Sequence, residues 1–139
     1  MIILDTNVLS ELMRQMPDHR VLAWLDRQPQ TSVWITSLTM FEIQFGIETL
    51  VPSKRRTQLM KTFESTLVED IGQRIAPFDA AAAQHAAILM ASRHKEGRPV
   101  ELRDTLIAGI ALARHAALAT RNINHFQDLP VPVVNPWAS

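Results

Sequence analysis

The sequence predicts an α/β fold: a three-layer α/β/α sandwich around a mostly parallel central sheet of four to five strands. Two patterns carry that prediction. Short apolar runs rich in β-branched residues alternate with longer stretches of helical periodicity, as expected when helices cover both faces of a buried sheet. No internal repeat or linker breaks the alternation, and 139 residues at 47% hydrophobic composition are enough for one core, so residues 1–139 are read as a single domain.

Taken in order, Ile2 to Leu4 is a short buried strand closed by Asp5-Thr6-Asn7, with a helix from Val8 to Met13. Pro17 marks a loop, and Val21, Trp24 and Leu25 then recur at helical spacing until Pro29. Ser32 to Ser37 is a second strand. Leu38, Phe41, Ile43 and Phe45 set an apolar stripe on a helix that Pro52 stops near Leu50. Lys54 to Glu69 forms a charged amphipathic helix with Leu59, Phe63 and Leu67 inward. Arg74 to Phe78 is a third strand, and Asp79 caps an alanine-rich helix from Ala80 to Lys95 that Gly97 ends. A further helix runs from Leu102 to His115, Ala117 to Thr120 is a fourth strand, and Val131 to Val134 is a fifth.

Composition removes several function classes. Basic and acidic residues balance to a formal charge of zero, so no global basic footprint for non-specific DNA binding exists. The absence of cysteine excludes disulfides, thiolate zinc sites and cysteine nucleophiles. The apolar opening Met1 to Leu4 is too short for a signal peptide or a membrane span, and a cytoplasmic protein without membrane contact is the expectation.

Four polar residues sit where an apolar strand hands over to a helix or loop: Asp5, Glu42, Asp104 and Asn122. In an α/β sheet such junctions share one edge, so side chains distant in sequence can converge. Each has a plainer reading. Asp5 is also a good helix cap. Glu42 closes a Thr39-Met40-Phe41-Glu42 capping box, although the same first turn would bring it beside Asp5. Asp104 lies in the first turn of its helix, where the macrodipole favours an acid. Its apolar neighbours Ile107 and Ala108 demand a charge partner for a buried carboxylate; Arg103 and Glu101 flank it, but adjacent helical residues do not face one another. Asn122 is also a turn asparagine, and Thr120 a strand-end threonine able to bond a carboxylate.

Clustered carboxylates point to a hard cation, Mg²⁺ or Mn²⁺, which takes oxygen ligands in octahedral geometry. Such an ion eases deprotonation of water and stabilises charge on a phosphoryl group, so phosphodiester hydrolysis is the reaction class. Competing chemistries lack their signatures. No glycine-rich nucleotide loop occurs, and the five histidines show no zinc-protease spacing and read as surface or helix-end residues. The lysines Lys54, Lys61 and Lys95 all fall in helices, which excludes a phosphoryl-aspartate receiver; position 7 is Asn rather than the second Asp of an aspartate-nucleophile phosphatase.

Leu4-Asp5-Thr6-Asn7-Val8-Leu9-Ser10-Glu11, Glu42, Asp104, Ala119-Thr120-Arg121-Asn122 and Asn135-Pro136-Trp137 together resemble the PIN-domain ribonucleases across essentially the whole chain. Within them the chain is similar to the VapC toxins of type II toxin–antitoxin modules, in the FitB-like branch. The resemblance implies an Mg²⁺- or Mn²⁺-dependent endoribonuclease acting on an RNA substrate and neutralised by a cognate antitoxin. It also implies a homodimer, with operator DNA reached only through the antitoxin. Carried over, Asp5 and Asp104 are the metal ligands, Glu42 is a ligand, outer partner or base, and Asn122 completes the catalytic set. Position 122 departs from the pattern: a FitB-like chain carries an acid there, and other members carry Asn with an acid three residues on, where this chain has His125. The missing charge predicts one firmly held ion.

Arg98, Arg103 and Arg121 lie near enough in sequence to meet RNA phosphates, although each also reads as a solvated surface residue. Trp24, Trp34, Phe41, Phe45 and Phe63 are expected mostly in the core, with a few on a dimer or antitoxin face. Two other functions compete with the nuclease: a non-catalytic binding module acting through a protein partner, and a small-molecule phosphatase using the same metal site.

Overall fold

Strands β1 (Ile2–Leu4), β2 (Val33–Thr36), β3 (Ile75–Ala76), β4 (Ala117–Ala119) and β5 (Val133–Val134) form a five-stranded sheet in the order β3-β2-β1-β4-β5. Every pairing is parallel, with Ile3 opposite Trp34 on one side and Leu118 on the other. The computed structural model describes residues 1–99 and 101–138. Six helices join the strands: α1 (Thr6–Leu12), α2 (His19–Asp26), α3 (Ser37–Glu48), α4 (Lys54–Glu69), α5 (Ala80–Lys95) and α6 (Leu102–Ala113). The predicted layers and the parallel sheet are borne out.

Strand alternation divides the core in two. Leu4, Ile35 and Ala119 point toward α1 to α4, where they meet Val8, Leu9, Val21, Trp24, Ile47 and Phe63. Ile3 and Leu118 point the other way, onto Ala82, Leu89, Ile107 and Ile110 of α5 and α6. That second layer is thin because its helices touch closely. A Cβ added at Gly109 would lie 2.6 Å from the Ala82 carbonyl oxygen and 2.7 Å from Ala86 Cβ, so α6 carries glycine where α5 presses on it with alanines.

The chain runs β1 to β3 toward one edge, then returns beside β1 to build β4 and β5. β1 and β4 therefore flank the reversal of strand order, where α/β sheets open a crevice at the carboxyl ends of their strands. Asp5 and Thr120 follow those two ends directly. Among the described residues no helix is long and apolar enough to cross a membrane.

Most element ends fall within two residues of the sequence reading, and Asp79 caps α5 as expected by accepting from the Ala82 amide at 3.0 Å. Gly97 takes the left-handed conformation that stops that helix, with φ +68°. α3 differs. Its cap is Thr36, which accepts from the Thr39 amide at 3.1 Å, so the helix starts before the expected capping box and Glu42 does not serve as its closing acid. The expected apolar stripe divides: Leu38 and Ile43 pack against the core beside buried Thr39 and Ile47, while Phe41 and Phe45 lie exposed and stacked, ring centroids 6.0 Å apart. Trp24 and Phe63 are buried as expected.

Candidate active site

Asp5 leaves β1 fully buried, and its carboxylate is saturated with donors. Oδ1 accepts from the Thr6 amide at 2.8 Å, which makes Asp5 the cap of α1, and from Arg103 Nη2 at 2.8 Å. Oδ2 accepts from Thr120 Oγ1 at 2.8 Å and from Asn7 Nδ2 at 3.5 Å. Four donors compensate the loss of solvent around a buried charge. The cap and the site are thus one arrangement.

Glu42 comes one turn into α3 and is bridged to α1: Thr6 Oγ1 donates to Glu42 Oε1 at 2.9 Å and lies 2.9 Å from Thr39 Oγ1. Its other oxygen, Oε2, accepts from Arg103 Nε at 2.6 Å. Asp104 is buried in the first turn of α6 beside Ile107 and Ala108. Its Oδ1 accepts from Arg103 Nη1, and its Oδ2 lies 2.7 Å from His125 Nδ1.

Arg103 thereby binds Asp5, Glu42 and Asp104 with three different nitrogens of one guanidinium. Its partial burial works against the charged form, yet the Asp5 and Glu42 carboxylates outweigh that and push its pKa further up. This corrects two expectations. Arg103 is not a solvated surface residue, and it does meet its neighbour Asp104, because the long side chain folds back over the strand ends where the acids converge. The first basic residue after Asp5 in the sequence is Arg14, yet the ionic partner of Asp5 comes from position 103.

Asn122 is exposed. Its amide donates to Thr120 Oγ1 at 3.0 Å, and its side chain has no hydrogen-bonding partner among the described residues. His125, three residues on, is the side chain that reaches Asp104. It is exposed, as a surface histidine is expected to be, and it stands three residues after Asn122, where the resemblance leads one to look for an acid. Thr6, Asn7 and Thr39 were also missed as site residues. Asn7 ties α1 to the segment that follows β4, its Oδ1 accepting from the Arg121 backbone amide at 3.2 Å, while Arg121 itself lies over the Trp137 ring, 4.7 Å from the centroid.

Residues 2–131 match the family model of the PIN domain. The chain belongs to the PIN-domain family. The VapC ribonuclease Y4jK of Sinorhizobium fredii is 36% identical over 137 residues, 99% of this chain and 98% of that protein. The toxin FitB of Neisseria gonorrhoeae is 34% identical over 137 residues, 99% of each chain. The crystal structure of FitAcB from Neisseria gonorrhoeae superposes with a TM-score of 0.90 at 33% identity, covering all of both chains. The sequence resemblance to VapC and FitB-like toxins is borne out.

PIN nucleases depend on divalent metal, and the donor set of this PIN domain fits such an ion. Three carboxylates from three elements converge on one cationic group, Arg103, which is the electrostatic demand a divalent cation also meets. Among the described residues, the group whose donor atoms all lie within 4.8 Å of one another is Glu101, Asp104 and His125. Asp104 belongs to both arrangements.

Proposed function

We propose that this PIN domain is a metal-dependent endoribonuclease and the toxin of a toxin–antitoxin pair, using Mg²⁺ or Mn²⁺ held by Asp5 and Asp104. The observation that carries the reading is the convergence of Asp5, Glu42 and Asp104 on one guanidinium at the strand-order reversal. A divalent ion there supplies charge stabilisation at the phosphoryl oxygens and a more acidic water. The chain's own residues do the rest. Thr120 and the Thr6 amide hold the Asp5 carboxylate in one orientation. Glu42, turned inward by Thr6, is the group available to accept a proton. Asn122, exposed at the rim, offers an amide to the substrate or to a water. Arg103, drawn by the same acids, supplies a guanidinium that can transfer to an RNA phosphate.

The reading includes RNA as substrate, a cognate antitoxin as inhibitor, a homodimer, and operator DNA met only through the antitoxin. The names of the relatives support it, as does the exposed Phe41–Phe45 pair, an apolar surface suited to a protein partner. We read residues 1–139 as one folding unit.

The test is cleavage of single-stranded RNA by purified protein. Activity is expected with Mg²⁺ or Mn²⁺, lost in EDTA, and lost in Asp5→Asn and Asp104→Asn with unchanged circular dichroism. Equal cleavage by both variants would overturn the assignment. The binding-module alternative draws on the fact that Arg103 already bonds all three acids; it predicts no heat of binding for millimolar Mn²⁺ in calorimetry.

A further inference from the structure

Of the three arginines that the sequence places within reach of an RNA strand, two are committed to carboxylates. Arg103 binds Asp5, Glu42 and Asp104. Arg98 reaches Asp128 at 3.2 Å and shares it with Arg93, a buried cation that pairs with Asp128 at 2.8 Å and also donates to Thr105 Oγ1 and the His125 carbonyl. Arg121 differs from both. Its side chain is exposed, and its guanidinium has no ion pair or hydrogen bond among the described residues. It lies instead over the Trp137 ring, 4.7 Å from the centroid.

We propose that Arg121, mounted on Trp137, is a stacking shelf for a nucleobase of the RNA beside the cleaved bond. The proposal rests on the reading of RNA as substrate, and it names a residue that meets a base where the acid cluster meets only phosphate.

The support under the guanidinium is fixed. Trp137 is 6% exposed, belongs to the core cluster of Val21 and Trp24, and donates its amide to Asn135 Oδ1 at 2.9 Å. A guanidinium is planar and stacks on an aromatic face. With one face on the indole, Arg121 keeps its other face and its outer N–H groups in water. Unstacked RNA bases settle on such guanidinium planes as they do on aromatic rings. The indole already holds the side chain in place, so less rotamer entropy is lost when a base arrives.

The position is equally specific. Thr120, the preceding residue, donates to Asp5 Oδ2 at 2.8 Å. The Asn7 side chain spans from the Asp5 carboxylate, at 3.5 Å, to the Arg121 backbone amide, at 3.2 Å. Arg121 is therefore anchored one amide group away from a metal-site carboxylate, at the same edge of the sheet. Mounting on a ring also separates two kinds of contact. A phosphate needs a charge, which lysine would supply, whereas only a planar ligand uses the open planar face.

The test is fluorescence anisotropy in EDTA, where cleavage does not intervene, with two probes of equal length: an oligoadenylate and the same ribose-phosphate strand without bases. Wild type is expected to bind the oligoadenylate more tightly. Arg121→Lys keeps the charge and removes the planar face. It should weaken oligoadenylate binding by about tenfold, the loss of one stacked base, and leave the abasic strand nearly unchanged. Arg121→Ala should weaken both probes and lower the slope of log affinity against log salt by about 0.7, one phosphate-neutralising charge on a single strand. Equal weakening of both probes by Arg121→Lys would mean a charge contact or a disturbed fold, and overturns the shelf. Wild type that binds the two probes equally, or neither, overturns it without any variant. Base-dependent binding lost in Arg121→Lys, in a protein that cleaves no RNA, would remove the nuclease reading and leave the shelf standing. RNA cleavage by a protein whose binding ignores the bases would do the reverse.

Discussion

Arg103 Nη2 donates to Asp5 Oδ1 at 2.8 Å across 98 positions of sequence. The bond ties the start of α6 to the end of β1, and the same guanidinium takes up Glu42 and Asp104. A cation at this point satisfies three carboxylates that would otherwise repel one another. The site is therefore held together electrostatically by a residue of the chain itself, and a divalent ion entering it competes with that residue.

Arg103→Ala removes the competitor and the internal counter-charge together. Without metal the melting temperature should fall, by an amount equivalent to about 2 kcal/mol, because partly buried carboxylates lose their partner. Added Mn²⁺ should then raise the melting temperature of the variant more than that of the wild type, since binding to the folded state stabilises in proportion to affinity. Thermal denaturation with and without Mn²⁺ measures both. An equal Mn²⁺ response in the two proteins would show that guanidinium and metal do not share the acids.

Thr120→Val tests the second support of Asp5. Thr120 is fully buried, donates to Asp5 Oδ2 and accepts the Asn122 amide. Valine keeps the volume and removes the hydroxyl, leaving a buried carboxylate oxygen short of a donor at a cost of about 2 kcal/mol. Urea unfolding should report that loss, and RNA cleavage should fall with it because Asp5 is less firmly oriented. A variant as stable and active as the wild type would mean that this hydrogen bond is dispensable.

The layers were legible because strand and helix periodicity in this chain is unbroken, and Asp79 and Gly97 mark both ends of α5 by their own backbone chemistry. The convergence of Asp5, Glu42 and Asp104 was legible for a related reason: strand ends of a parallel sheet share one edge. Arg103 was not, because helix geometry alone separates it from Asp104 and no local rule reports a contact to position 5 or 42. Phe41 and Phe45 were misread because the buried face of α3 runs through Thr39, Ile43 and Ile47, and a threonine in that row hides it from an apolar pattern that the two phenylalanines dominate. His125 carried a signal in its spacing from Asn122, but a lone histidine is ordinarily a surface residue.

The Arg93–Asp128 pair makes stability depend on pH in an acidic window. Arg93's hydrogen bonds and charge, with a smaller contribution from Arg98, hold the Asp128 carboxyl below its usual range despite partial burial. A group depressed in the folded state adds stability that is fully present above its unfolded value, near 3.9, and is lost as pH falls toward the lower folded one. Asp128→Asn should therefore cost about 3 kcal/mol at neutral pH, because it strands a buried guanidinium. The difference from wild type should hold down to about pH 4 and shrink below it. Denaturation of both proteins between pH 7 and pH 3 checks this, and a gap that stays constant to pH 3 would contradict it.

Gly109→Ala sets two opposed effects of known sign against each other. Alanine favours an α-helix over glycine by about 1 kcal/mol, which alone would stabilise α6. Its Cβ, however, would meet the Ala82 carbonyl oxygen at 2.6 Å and Ala86 Cβ at 2.7 Å, and neither belongs to a flexible side chain that can swing away. Forcing two packed helices apart costs about 1–3 kcal/mol, and the clash with backbone puts this site toward the upper end. A net loss of about 1–2 kcal/mol is expected, read as a lower urea midpoint at unchanged slope. Because α6 carries Arg103 and Asp104, the same shift should loosen the acid cluster and lower RNA cleavage. A stabilised and fully active variant would mean that α5 and α6 can separate freely without moving the site.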